Sequence, residues 1–130
     1  MKIGSIIEDR NLEKRIAITP EIVKKYTSLG FEIYLSENYG SHISINDKAY
    51  SDLGVKILKD DKEILGNSDI IVQLGMISEE KCSFIKENQT LIGALNPYNN
   101  KEKIENLIKK KINVFSLELL PRITRAQSMD

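Results

Sequence analysis

The chain has one cysteine, Cys82, and one histidine, His42, in 130 residues. A lone thiol excludes an intramolecular disulfide and a cysteine-based zinc site, and a lone imidazole cannot build a metal cluster. Charge of one sign is missing as well. Nineteen Lys and Arg balance nineteen Asp and Glu, whereas a nucleic-acid binder usually carries a basic excess on one face. The short basic runs at 24–25 and 109–111 do not change that balance, and the single cysteine suits a reducing, cytosol-like compartment. No stretch approaches the eighteen or so consecutive apolar residues of a spanning helix, so no direct membrane insertion is expected. The opening turns acidic at Glu8-Asp9, too soon for a secretory signal. The glycines at 4, 40, 75 and 93 never form a Gly-x-Gly-x-x-Gly turn opening a helix. The chain therefore lacks a dinucleotide phosphate cradle of its own.

What is present is alternation. Runs rich in Ile, Val, Leu and Phe at 2–7, 31–36, 55–58, 69–74, 90–95 and 113–117 read as strands. Between the first two, Thr19 is placed as an N-cap, Pro20 at the first helical position and Gly30 as the stop, with Ile22, Val23, Tyr26 and Leu29 on the apolar face. A second helix is expected from Asn46 or Asp47 to Gly54, burying Ala49, Tyr50 and Leu53, and a short one at 61–65. A fourth starts at Ser78 and buries Cys82 and Ile85. A fifth, at 100–111, turns Ile104, Leu107 and Ile108 inward and ends on a dipole-matched lysine run. A chain of this length is one domain with a real core. Strict alternation implies right-handed βαβ units. The expected fold is α/β: a three-layer, doubly wound, flavodoxin-like sandwich of five or six mainly parallel strands. Ligands in such sheets gather at the strand carboxyl ends. That places 8–15, 73–76, 96–99 and 118–130 along one rim, where Arg15 and the polar tail can share a crevice.

The tail reads Pro121-Arg122-Ile123-Thr124-Arg125-Ala126-Gln127-Ser128-Met129-Asp130. Such a segment cannot bury itself cheaply. Its composition fits either a solvated terminus or a loop offering a guanidinium fork, a carboxamide and a carboxylate to a polar ligand. The segment resembles the loop that closes the first domain of the alpha subunit in the proton-translocating NAD(P) transhydrogenase family, which reads Pro-Arg-Ile-Ser/Thr-Arg-Ala-Gln-Ser-Met/Leu-Asp. The opening, with Arg15-Ile16-Ala17-Ile18-Thr19-Pro20, resembles the family's Arg-Val-Ala-x-Thr-Pro. Between these ends the similarity lies in the spacing of strands, glycines and acidic turns.

The resemblance implies that this is the N-terminal domain, residues 1–130, of a longer subunit whose NAD-binding Rossmann domain lies outside the chain. The assembly would pass hydride between NAD(H), held by the alpha subunit, and NADP(H), held by a partner subunit, while a membrane subunit moves protons. The domain would then sit on the cytoplasmic side of the membrane. Its further partners would be a second alpha subunit in a homodimer and its own missing Rossmann domain. Transfer between two nicotinamides needs positioning within about 3 to 3.5 Å and no proton donor, so no catalytic side chain is assigned. By the resemblance, Arg122 and Asp130 orient the NAD(H) ring or its carboxamide, and Gln127 reaches the second nucleotide. Arg125 is given no ligand role; a pair with a carboxylate such as Glu118 serves loop rigidity equally well. The chain alone is expected to hold no cofactor tightly and to be inactive.

Two other readings compete. Related alanine dehydrogenases place a lysine and a histidine in the loops that hold Gly75 and Asn96 here, with an arginine matching Arg15 on the substrate carboxylate. Without that cation and acid/base group the proton relay of imine reduction is lost. Arg15 is therefore read as structural, paired with Glu8, Asp9 or Glu13. A receiver-like signalling module would use an acidic pair such as Glu8-Asp9. It would also need an aspartate ending its third strand and a lysine ending its fifth, where this chain has Leu58-Lys59 and Ala94-Leu95-Asn96. His42 is read as a surface loop residue and Cys82 as a small core residue.

Overall fold

The computed structural model describes residues 1–9, 11 and 13–117. Six strands alternate with five helices, in the order β1 (Lys2–Ser5), α1 (Pro20–Ser28), β2 (Glu32–Ser36), α2 (Asp47–Ser51), β3 (Lys56–Leu58), α3 (Asp61–Asn67), β4 (Ile70–Gln73), α4 (Glu79–Cys82), β5 (Thr90–Gly93), α5 (Lys101–Lys109) and β6 (Asn113–Ser116). A 3-10 turn, Ser41–Ile43, precedes α2. Local chemistry sets these boundaries. Thr19 Oγ1 accepts from Ile22 N at 3.3 Å and Asn46 Oδ1 from Ala49 N at 3.0 Å. Asp60 Oδ1 caps α3 by accepting from Lys62 N at 2.9 Å, and the helix starts at Asp61 as expected but runs on to Asn67. Gly30 and Gly54 adopt φ of +95° and +94° just past the first two helices, a region glycine enters without a Cβ penalty.

Every strand pairing is parallel, and the strand order is β3-β2-β1-β4-β5-β6. The doubly wound, parallel expectation is met. The order itself is of the 3-2-1-4-5-6 type, which refines the flavodoxin-like description, whose sheet runs 2-1-3-4-5. The chain winds outward from β1 in one direction and from β4 in the other, so the switch point lies between β1 and β4.

Two cores follow from this winding. On one face Val23 of α1 and Tyr50 of α2 pack on Ile3, Ile33 and Leu35. On the other, Ile64 and Leu65 of α3, Cys82 of α4 and Leu107 of α5 pack on Ile71 and Leu91. Gly4 lets α3 come close: a Cβ there would lie 1.9 Å from Ser68 Oγ.

Two apolar positions differ from expectation. Leu29 is 68% exposed, because the helix ends at Ser28 and Phe31 instead turns edge-on to Tyr26, 6.2 Å between ring centres. Ile108 is 58% exposed, because α5 meets the sheet through Leu107 and the chain re-enters the core at Ile112. α4 is only four residues long, so Ile85 is buried from the turn beyond it.

Candidate functional site

A cleft of about 370 Å³ opens at the carboxyl ends of β1 and β4, lined among others by Glu8, Asp9, Gln73, Ser78, Lys81 and Lys103. It lies at the switch point, where two strands diverge and leave room for a ligand. The divergence is visible in the ladder. β1 and β4 pair only at Ile3 with Ile70 and Gly4 with Ile71. Beyond that, side chains do the bridging. Ser5 Oγ donates to Val72 O at 2.6 Å, and Gln73, 2% exposed, reaches back to β1. Its Oε1 accepts from Ile6 N at 2.7 Å and its Nε2 donates to Ile6 O at 3.2 Å.

Two struts continue from this bridge. In one, Tyr39 OH shares a 2.8 Å hydrogen bond with Ser5 Oγ and accepts from Ala17 N and Ile18 N, both at 3.2 Å. It thereby fixes the lead into α1. Burial pushes the Tyr39 phenol up to about 12, against the pull of these bonds. In the other, Glu8 faces the turn after β4. Its Oε2 accepts from Leu74 N at 2.6 Å and Gln73 Nε2 at 3.0 Å, and its Oε1 from Gly75 N at 3.2 Å. Burial raises the Glu8 carboxyl above its ordinary value, opposed by the bonds from Leu74 and Gly75 and helped by the nearby Glu13 charge.

The far wall is held by ion and hydrogen bonds between elements. Lys81 Nζ of α4 contacts Asp61 Oδ2 of α3 at 2.7 Å, and Asp61 Oδ1 accepts from Ser36 Oγ at 2.7 Å. Ser36 Oγ in turn accepts from Ile7 N at 3.2 Å. These bonds tie both helices to the ends of β2 and β1.

Arg15 is paired as expected. Its Nε and Nη2 donate to Glu13 at 3.0 and 2.9 Å, and the guanidinium holds that carboxyl down to about 2. Gly75 leaves an opening at the end of β4, where a Cβ would meet only Glu8 Oε1, at 3.6 Å. Asn96, in the left-handed region with φ of 49°, begins the turn after β5, and its carbonyl accepts from Asn100 Nδ2 at 3.1 Å. The lysine and histidine of the amino-acid dehydrogenase reading thus have no counterpart at these two strand ends. The imidazole is elsewhere: His42 Nε2 bonds Lys14 O at 2.7 Å. The receiver reading gains nothing either, since β3 ends at Leu58 ahead of Lys59 and β5 at Gly93.

Arg122, Gln127 and Asp130, assigned to the nucleotide by resemblance, lie outside the described residues, as do Glu118 and Arg125. Sequence reasoning set Glu8 and Gln73 on the rim but missed that they bond each other. The available signal was a glutamine closing the apolar run Ile70-Ile71-Val72, since a polar side chain at a buried strand end needs partners.

As a nucleotide site the rim is one-sided. Residues 6–19 separate β1 from α1 and contain no glycine, so the tight glycine turn that seats a pyrophosphate on a helix end is absent.

Comparison with known proteins yields consistent likenesses. The family description "Alanine dehydrogenase/PNT, N-terminal domain" matches residues 4–130. An NAD(P) transhydrogenase alpha-subunit chain of Rhodospirillum rubrum is 40% identical over 135 residues, covering 100% of this chain and 35% of that protein. The alanine dehydrogenase of Methanococcus maripaludis is 28% identical over 126 residues, covering 97% of this chain and 34% of that protein. Among solved structures, transhydrogenase from Sinorhizobium meliloti superposes with a TM-score of 0.88 at 31% identity, covering 100% of this chain and 39% of that one. The chain thus spans about a third of the length of the curated relatives it matches.

Proposed function

Because this chain belongs to the alanine dehydrogenase/PNT N-terminal domain family, we propose that it is the first domain of the NAD(H)-binding alpha subunit of an NAD(P) transhydrogenase. The domain forms one wall of the NAD(H) cleft, and a Rossmann domain elsewhere in the subunit supplies the pyrophosphate cradle. When bound, the dinucleotide supplies the hydride. The residues of this chain orient the ring. Arg122 and Asp130 hold the nicotinamide or its carboxamide, and Gln127 reaches toward NADP(H) on the partner subunit. A second alpha subunit and a membrane subunit that moves protons complete the assembly. The domain lies on the cytoplasmic side, and among its described residues no helix is long and apolar enough to cross a membrane.

The observation that carries this reading is the 40% identity to a transhydrogenase alpha chain across the whole of this one. Gly75 and Asn96 support it against the amino-acid dehydrogenase alternative, because neither side chain can bind a substrate carboxylate as a cation or relay a proton.

The test uses the intact subunit that carries this domain. Arg122→Ala, Gln127→Ala and Asp130→Ala are compared with the parent for NADH affinity and for hydride transfer to an NADP⁺ analogue in the reconstituted complex. Losing positioning groups should slow transfer on the order of a hundredfold. Unchanged affinity and rate in all three variants, or reduction of pyruvate with ammonia by the parent, would sink the proposal.

A further inference from the structure

We propose that Glu8 is a positioning residue for nicotinamide binding, its carboxylate holding the Leu74–Gly75 turn against the end of β1 and so setting the shape of the cleft. The inference rests on the nucleotide reading above and adds to it a residue and a pH dependence.

Three observations carry it. The backbone ladder between β1 and β4 ends at Gly4 and Ile71, and past that point side chains of Ser5, Gln73 and Glu8 tie the two strand ends together. Glu8 is the outermost of these ties. Two consecutive backbone N–H groups, of Leu74 and Gly75, converge on one carboxylate at 2.6 and 3.2 Å, while Gln73 Nε2 fixes it from the inside at 3.0 Å. Position 75 has no side chain of its own to anchor the turn, and the space where a Cβ would stand holds nothing closer than Glu8 Oε1 at 3.6 Å.

An ionised carboxylate accepts from both N–H groups at once. The neutral acid presents a hydroxyl donor in place of one acceptor, leaving one of the two amides facing another donor. Protonation therefore releases the turn. The charged neighbours are Asp9 and the Glu13–Arg15 pair from the same loop, Lys81 of α4 with its Asp61 partner on α3, and Lys103 of α5. Burial outweighs the hydrogen bonds and raises the Glu8 carboxyl, bringing the release nearer to neutral pH.

Stability and affinity then respond to pH with opposite signs. A raised carboxyl contributes stability that is fully present at low pH and lost as pH rises through its folded value. Nucleotide affinity, which needs the ionised form, instead falls as pH drops through the same range. A merely structural Glu8 would produce the first effect and not the second.

The experiment has two arms. In this chain, the Leu74 and Gly75 amide shifts are followed by NMR from roughly pH 4 to 8, a range spanning the ordinary carboxylate value. In the intact subunit, NADH affinity is measured over the same range for the parent, Glu8→Gln and Glu8→Asp. Both amides should titrate together, with a midpoint above the ordinary glutamate value, and Glu8→Gln should abolish that step. Parent affinity should fall about tenfold on the acid side, as for loss of one charge-assisted hydrogen bond. Glu8→Gln should sit at the weak level throughout. Glu8→Asp keeps the charge but shortens the reach, and should also bind weakly. Amides that do not titrate, or a Glu8→Gln profile matching the parent, overturn the role given to Glu8. A parent subunit that binds no NADH at any pH overturns the nucleotide reading itself, and with it that role.

Discussion

Gln73 stands in for a strand of backbone against Ile6: its carboxamide accepts the Ile6 N–H at 2.7 Å and donates to the Ile6 carbonyl at 3.2 Å, the two bonds a continued ladder would have made. The substitution of side chain for main chain occurs where β1 and β4 part, so the cleft can open without stranding buried polar groups.

Gln73→Leu should therefore destabilise the fold although leucine fills similar space. Both Ile6 groups lose their partner in a buried setting. The cost is about 2–6 kcal/mol at roughly 1–3 per unsatisfied group, readable as a lowered urea midpoint with unchanged slope.

Tyr39→Phe strips the hydroxyl that accepts from Ala17 N and Ile18 N and bonds Ser5. A loss of about 1–3 kcal/mol is expected near neutral pH. The parent should lose Tyr39-linked stability as pH rises from the ordinary 10 toward about 12, since a raised pKa favours the fold only while the phenol keeps its proton. Alkaline denaturation followed by circular dichroism should show a shallower pH slope in the variant than in the parent.

Glu13 works with the opposite sign. Its carboxyl falls from the ordinary 4.5 to about 2 beside Arg15, so the pair favours the fold above pH 4.5 and fades as pH drops toward 2. The pair is exposed and screened, so its main effect should be local. Glu13→Gln should leave the melting temperature nearly unchanged while accelerating amide exchange at Arg15, whose N–H now donates to Glu13 Oε2 at 3.0 Å. Unaltered exchange there would contradict the pairing.

Leu107 and Ile108 are neighbours on α5 with opposite fates, 1% and 58% exposed. Leu107→Ala should cost about 2–5 kcal/mol, as for other buried leucines. Ile108→Ala should stay within about 0.5 kcal/mol, as for a surface change. Thermal melts of the two variants would reverse this assignment if Ile108 proved the costly one.

Gly4→Ala places a Cβ 1.9 Å from Ser68 Oγ and 2.9 Å from Ile64 Cγ2. Overpacking of this kind costs about 1–3 kcal/mol. Ser68→Ala should recover only some of that loss in the double variant, because Ile64 remains in the way. Full recovery would place the clash on the serine alone.

The elements were legible because their signals are local. Thr19, Asn46 and Ser78 announce helix starts through short side chains that reach their own backbone, and all three do so in the fold. The strands are shorter than their apolar runs, 2–7 shrinking to Lys2–Ser5 and 90–95 to Thr90–Gly93, because apolar residues continue past the ladder to line the cleft and the core. Leu29 and Ile108 were misplaced for a related reason. Periodicity gives a face to a helix, but neighbouring elements decide how much of that face is covered.

For the site, sequence supplied the inventory and the rim: a polar loop after β1, a glutamine closing β4, a glycine at 75 and an asparagine at 96 where another chemistry would need a lysine and a histidine. It could not pair Glu8 with Gln73 and Leu74, because those contacts span 65 and 66 residues and depend on the strand order chosen at the switch point. Alternation of strands and helices was enough to fix a doubly wound parallel sheet, since right-handed crossovers leave few alternatives. Which strand follows β1 across the sheet, which carboxylate loses its water and which amides it then holds were settled only when six strands packed side by side, because burial and hydrogen bonding across the sheet belong to the assembled chain and to no segment of it.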